Sequence, residues 1–246
     1  MASSNGSSPC RPPRRLDVAA WRRPTVLFLL TATVAALGAP PDYLREALAK
    51  FSAEVPPGWA YTQTTVRGAE STVERFDPGK PPAERWVLVA HNGKPPPPAE
   101  LEKYLQFKAA SAPPLAQAAF HRHDIDPGSI QLVRDEPGRA VFSAGFRPEA
   151  SAADKMLDHL RLELVVHKQP AWIEEYVLEL RAAYSPVLGV KMNELSVHFG
   201  FSPPGLDRPS LPALSTSHFA GRIFFVPTAE DLRVTFSDFS RVGAKP

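Results

Sequence analysis

The segment His121-Arg122-His123-Asp124 is the densest group of side chains able to do chemistry. Two histidines two apart on an extended stretch can grip a metal ion, with Asp124 or Asp126 completing the set. The same residues also suit the end of a helix, where His and Arg are favoured by the dipole and bind nothing. His159 and His167 fall on one side of a strand with Arg161 and Glu163. Histidine titrates near neutrality, so this group can respond to pH or pass protons. An ordinary solvated strand face has the same composition. Ser215, Ser217 and His218 supply nucleophile and base types, but no Gly-x-Ser-x-Gly elbow surrounds them. Glu174 with Glu175, or Glu163 with Glu179, has the form of a paired carboxylate for glycoside hydrolysis. Chains rich in strands carry such pairs routinely. No phosphate-cradling glycine loop or dinucleotide fingerprint occurs. None of these patterns is a catalytic signature, and none implies a cofactor or a metal.

These side chains are positioned by a short helical start and a long series of strands. Leu44, Ala47, Leu48 and Phe51 recur at helical spacing over 40–54, and Pro56-Pro57-Gly58 stops the pattern. Strands are predicted over 59–67, 71–76 and 85–90, then 130–134, 140–146, 156–167, 171–181, 187–201, 219–226 and 232–240. Turn residues separate them, among them Asn92-Gly93, Glu136-Pro137-Gly138 and Pro227-Thr228-Ala229-Glu230. Lys94-Pro95-Pro96-Pro97-Pro98 is the most biased stretch. It suits a polyproline recognition motif or a stiff loop leading into a helix over 99–110, with Pro98 in the first turn. A second short helix is predicted over 115–121. Neighbouring strands joined by short turns pair antiparallel.

Alternation along the strands separates an apolar from a polar face. Leu160, Leu162, Leu164 and Val166 share one side of their strand; Trp172, Tyr176, Leu178 and Leu180 share another. Leu195, Val197, Phe199 and Phe201 line up later, as do Phe219, Ile223 and Phe225, then Leu232, Val234 and Phe236. The predicted fold is α+β: a long, curved antiparallel sheet, a half-barrel, with helices covering its concave apolar face. That face either lines a cavity or is a filled core, and composition does not separate the two. If it lines a cavity, the walls are Phe142, Phe146, Leu160, Leu162, Leu164, Tyr176, Leu178, Phe199 and Phe225.

The first 38 residues read as a signal peptide, with an uncleaved membrane anchor as the alternative. Five arginines precede the uncharged run Val26 to Leu37, which is too short to span a bilayer. Ala36 and Gly38 suit cleavage before Ala39. Residues 39–246 then form a single domain of the periplasm. The one cysteine, Cys10, leaves with the signal, so the mature chain has no disulfide and no thiolate site. Residues 1–38 hold five Arg and one Asp; the remainder has 23 basic and 25 acidic side chains, a net charge of about −2. Nucleic-acid binding needs clustered basic residues and is not expected.

Several stretches resemble a group of uncharacterised bacterial exported proteins. They are Glu74-Arg75-Phe76-Asp77-Pro78 with Arg85-Trp86-Val87-Leu88, Asn92-Gly93-Lys94-Pro95-Pro96, Ser185-Pro186-Val187-Leu188-Gly189-Val190-Lys191-Met192, and Gly221-Arg222-Ile223-Phe224-Phe225. The order of elements also resembles the LolA-like fold of periplasmic lipoprotein carriers and their outer-membrane receptors. The resemblance covers about residues 40–240 and carries over no functional residue. It implies a non-catalytic carrier whose partner is a hydrophobic small molecule or a lipidated protein, with transient membrane contact. An exported interaction protein with a filled core is the alternative, and an exported hydrolase a further one.

Overall fold

The structure is a computed structural model. The chain divides into a unit of residues 1–38 and a unit of residues 39–246. The described residues are 40–110 and 120–243. The expected signal peptide lies outside them, as does most of the helix expected over 115–121. Among the described residues no helix is long and apolar enough to cross a membrane.

The described residues form an α+β fold built on one open antiparallel sheet. Its strands are β1 (Trp59–Arg67), β2 (Glu70–Phe76), β3 (Trp86–His91), β4 (Gln131–Glu136), β5 (Arg139–Ala144), β6 (Leu160–Lys168), β7 (Ala171–Leu180), β8 (Val190–Ser202), β9 (Leu211–Ile223) and β10 (Val226–Arg241). Their order is β3-β2-β1-β10-β9-β8-β7-β6-β5-β4. Every strand lies beside its sequence neighbours except at one point. β1 joins β10, and β3 and β4 are left as the two edges. This is the order of an up-and-down barrel with its last pairing unmade.

Among the described residues three α-helices accompany the sheet: α1 (Asp42–Lys50), α2 (Pro98–Ala110) and α3 (Pro148–Ala153). α1 starts with Asp42 in its first turn and buries Leu44 and Ala47, laying them on β6 and β7. It is shorter than the periodicity predicts. Phe51 already has extended backbone, φ −70° and ψ 133°, and its buried ring touches Phe120, Tyr176 and Phe201. Burying that ring outweighs another helical turn. α2 follows the proline stretch and begins at Pro98, as expected. α3 was not legible in the alternation. A 3-10 turn, Leu157–His159, also stands where the sixth strand was expected to begin.

The largest departure from the sequence reading is in the last hairpin. Pro227-Thr228-Ala229-Glu230 is strand, paired with Phe219 through Arg222, and the turn is Phe224-Phe225. Proline is tolerated where a strand's N–H side is unpaired, and β1 pairs with β10 only from Leu232 onward. β7 holds a second departure. Its register with β6 shifts between Val165 and Val166, so Ile173 rather than Glu174 stands opposite Val166. The alternation counted through Glu174 therefore changes sides there.

Candidate ligand site

One row of paired residues crosses all ten strands. It runs Leu132, Phe142, Leu164, Tyr176, Phe199, Ser215, Val234, Thr65, Thr72 and His91. The row is mainly apolar from β4 to β10 and polar from β1 to β3. Four of the nine expected wall residues lie in it. Leu162 and Leu178 face each other in the next row, and Leu160 stands near the strand end opposite Leu180.

These walls are closed. Phe142, Leu160, Leu162, Leu164, Tyr176, Leu178 and Phe199 are all 5 % exposed or less. They belong to one core that also holds Leu44 and Ala47 of α1. Burial pushes the Tyr176 phenol well above the usual tyrosine range. Phe225 is a different case. It is 94 % exposed at the β9–β10 turn and lines nothing inside the sheet. The sequence expectation paired it with Phe219 and Ile223, but the turn falls earlier than its residue types suggest.

Aromatic rings make a continuous belt across this face. Trp86 meets Phe76 at 5.0 Å, Phe76 meets Tyr61 at 5.3 Å, and Tyr61 meets Phe236 at 5.9 Å between centroids. Phe236 reaches Phe199 at 6.1 Å across β9. Phe199 stacks on Tyr176 at 5.2 Å, Tyr176 meets Phe120 at 5.0 Å, and Phe120 meets Phe146 at 5.4 Å. Such offset and edge contacts add to area burial.

Two clefts open where the belt ends. The smaller, about 200 Å3, is lined by Phe51, Ser52, Ala53, Glu54, Phe120 and the segment 121–123. The larger holds about 550 Å3 and is lined by Phe146, Pro148, Ser151, Ala152, Lys155, Asp158, His159 and Tyr184. Phe120 and Phe146 touch, so the clefts share an aromatic partition. α3 supplies one wall of the larger cleft. Its mouth carries Lys155 and Asp158, and His159 stacks on Tyr184 at 3.8 Å. Of the expected walls only Phe146 lines it. Tyr184, Pro148 and Ala152 were missed because they sit on a loop and a one-and-a-half-turn helix with no strand alternation.

The polar half of the inner face lies under α2. Glu74 and Gln63 are buried beside each other. Lys108 of α2 bonds Glu74 at 2.7 Å and stands 4.2 Å over the Trp86 ring. The Tyr104 hydroxyl is buried beside Glu74, with no hydrogen bond of ordinary geometry among the described residues. Burial first, and then the neighbouring Glu74 carboxylate, raise its pKa far above the usual range. His91 and Glu100 pair at the other end of the helix.

The remaining sequence candidates are separated by the sheet. His121 and His123 stack at 5.1 Å, but Asp124 is occupied in capping its own 3-10 turn through the His121 N–H. Among the described residues no three His, Cys, Asp or Glu side chains gather as a metal site. His167 bonds the Pro170 carbonyl at 2.9 Å. Arg161 spans Glu163 and Glu179. His218 bonds Asp231 at 2.8 Å on the solvated face. Ser215 is buried in the row on the opposite face. Among the described residues no serine hydroxyl bonds His218.

No family model matches this chain, and no curated protein does. Two solved structures align weakly. One is an isomerase-inactive variant of GphF DH1, 13 % identical over 82 % of both chains with a TM-score of 0.14. The other is a GphF dehydratase variant for improved crystallization, 13 % identical over 79 % of this chain and 81 % of that one, with a TM-score of 0.11.

Proposed function

We propose that the chain is an exported, non-catalytic binding or carrier protein for an amphiphilic ligand with an acyl tail. The binding place is the larger cleft rather than the closed middle of the sheet. The observation that carries this reading is the cleft of about 550 Å3 at the end of the aromatic belt, with Phe146 and Tyr184 inside and Lys155 at its mouth. That volume is within the usual range of small-molecule sites, about 300–1,000 Å3. Each methylene taken from water contributes about 0.8 kcal/mol, and Lys155 complements an acidic headgroup.

A second reading has its own support. The tight burial of seven expected wall residues suits an interaction protein with a filled core. Native mass spectrometry of the chain, purified without detergent, followed by lipid extraction, separates the two. A stoichiometric acyl lipid supports the carrier. A clean apo mass that stays unchanged after incubation with lipid sinks it and leaves the filled-core protein.

A further inference from the structure

β8, β9 and β10 extend beyond their neighbours as a three-stranded finger. β7 pairs with β8 no farther than Glu179–Ser196, and β1 pairs with β10 no farther than Arg67–Leu232. Past those points, residues 190–195, 218–223 and 226–231 pair with one another. One bridge from Tyr184 to Met192 is added from the side. Six residues of strand rise about 20 Å.

The end of the finger is apolar and open to solvent. Leu188 is 100 % exposed, Phe225 94 %, Phe224 72 %, Val226 65 % and Val187 62 %. One residue behind this end, Lys191 and Arg222 face each other across β8 and β9. Both are exposed, and neither forms an ion pair among the described residues. The acidic side chains lie farther back. Glu194 and Asp231 flank His218, and Glu230 pairs with Arg67. Charge is thus ordered along the finger, with an apolar tip, a basic collar and an acidic base.

The turn departs from the chemistry its geometry favours. A two-residue hairpin turn with positive φ at its first central residue normally carries Gly, or a tolerant Asn, there. Here Phe224 holds φ +54°, a conformation uncommon for a bulky side chain. Its ring lies against Gly189, where an added Cβ would come 2.8 Å from Phe224 Cε1. Its N–H donates to the Gly189 carbonyl. The tip is therefore tied to the loop carrying Val187 and Leu188. Strain and exposed aromatic surface both oppose folding, which marks the tip as a candidate contact site.

We propose that this finger inserts its Phe224-Phe225 tip into the interfacial layer of an anionic lipid bilayer. Lys191 and Arg222 then stand at the level of the headgroup phosphates. Three strands span only about 10 Å between the outer two. That is too narrow for a stable protein interface of about 800 Å2 per partner, but it suits insertion to a depth of about 5–10 Å. Basic side chains just behind an apolar end favour anionic headgroups. The inference stands on the finger alone and needs no ligand in the cleft.

The test uses the full chain with Phe225→Trp and vesicles of phosphatidylglycerol and phosphatidylcholine, with brominated acyl chains as quencher. The signal is the emission difference between this variant and the parent chain. Because it is read at position 225, insertion by residues 1–38 does not mimic it. The expected result is a blue-shifted, bromine-quenched signal on phosphatidylglycerol vesicles. Binding should be at least tenfold weaker on pure phosphatidylcholine or with Lys191→Glu and Arg222→Glu together. In the otherwise unaltered chain, Phe224→Asn with Phe225→Gly keeps the turn and should lower vesicle affinity by a similar factor. An unquenched tryptophan on anionic vesicles overturns the proposal. So does insertion indifferent to the collar charges, or a dimer by sedimentation equilibrium that the Asn-Gly turn abolishes without any vesicle binding.

Discussion

Leu164 sits in the middle of the row that crosses the sheet, fully buried between Phe142 and Tyr176. Leu164→Ala removes buried methylenes and leaves a hole the rings around it cannot collapse into. A loss of about 3 kcal/mol is expected, read as a lower urea midpoint at unchanged slope. His218 makes a different kind of prediction. Its hydrogen bond to Asp231, helped by the charges of Asp231 and Glu194, holds its pKa above the ordinary histidine value. A raised folded pKa means that the stabilisation is fully present below the unfolded pKa. It is lost as the pH rises through the folded one. Asp231→Asn should bring the His218 pKa down in an NMR titration and flatten stability across that interval; an unmoved titration would remove the assigned cause. These two residues also mark what single positions disclose. Leu164 was legible because its strand alternates cleanly. Ser215 was legible only as a possible nucleophile. Its buried place between Phe199 and Val234 depends on a register between strands that no local pattern encodes.

At the scale of elements, the two longer helices are held in opposite ways. α1 is placed by apolar burial, and its spacing of Leu44, Ala47 and Leu48 announced it. α2 leaves Leu105 and Phe107 exposed and is fixed through Lys108–Glu74 and His91–Glu100. Glu74→Ala leaves Lys108 with a side chain 16 % exposed and no carboxylate. Breaking such a pair should cost about 2 kcal/mol and speed hydrogen exchange through α2 before the sheet opens. Glu74→Leu with Lys108→Met should recover most of the stability. Uniform exchange in the single variant would mean that α2 is not held by this pair. The β9–β10 hairpin gives the converse case. Phe224→Asn with Phe225→Gly puts a residue that tolerates the positive φ at position 224 and should raise stability by about 1 kcal/mol, while costing vesicle binding. The turn was misplaced in the sequence because Pro227-Thr228 has turn chemistry and Phe224-Phe225 has none. A site selected for contact rather than for folding is where local reading is expected to fail.

For the whole molecule, the sheet stops one pairing short of closure, between β3 and β4. A closed barrel of ten strands would enclose its interior. Here the interior is filled by its own rings, and vacant space is displaced to the end walled by α3 and the loop through Tyr184. The alternation of the strands made the half-barrel and its apolar face legible, but filling is a property of volume, and strand patterns report only direction. Ala152 separates the alternatives because it is exposed and lines the larger cleft. Ala152→Trp should fill much of that volume at little cost to the fold. If the cleft takes an acyl ligand, the variant should keep its thermal midpoint within about 2 °C of the parent, a shift below 1 kcal/mol for a domain of this size. Its co-purifying lipid, or its affinity for an added fatty acid, should fall tenfold or more. If the variant retains the parent's lipid affinity, the ligand is not in this cleft. It would then have to enter by parting α1 from β6 and β7, and Leu44→Ala, which loosens that contact, should raise ligand uptake where Ala152→Trp did not lower it.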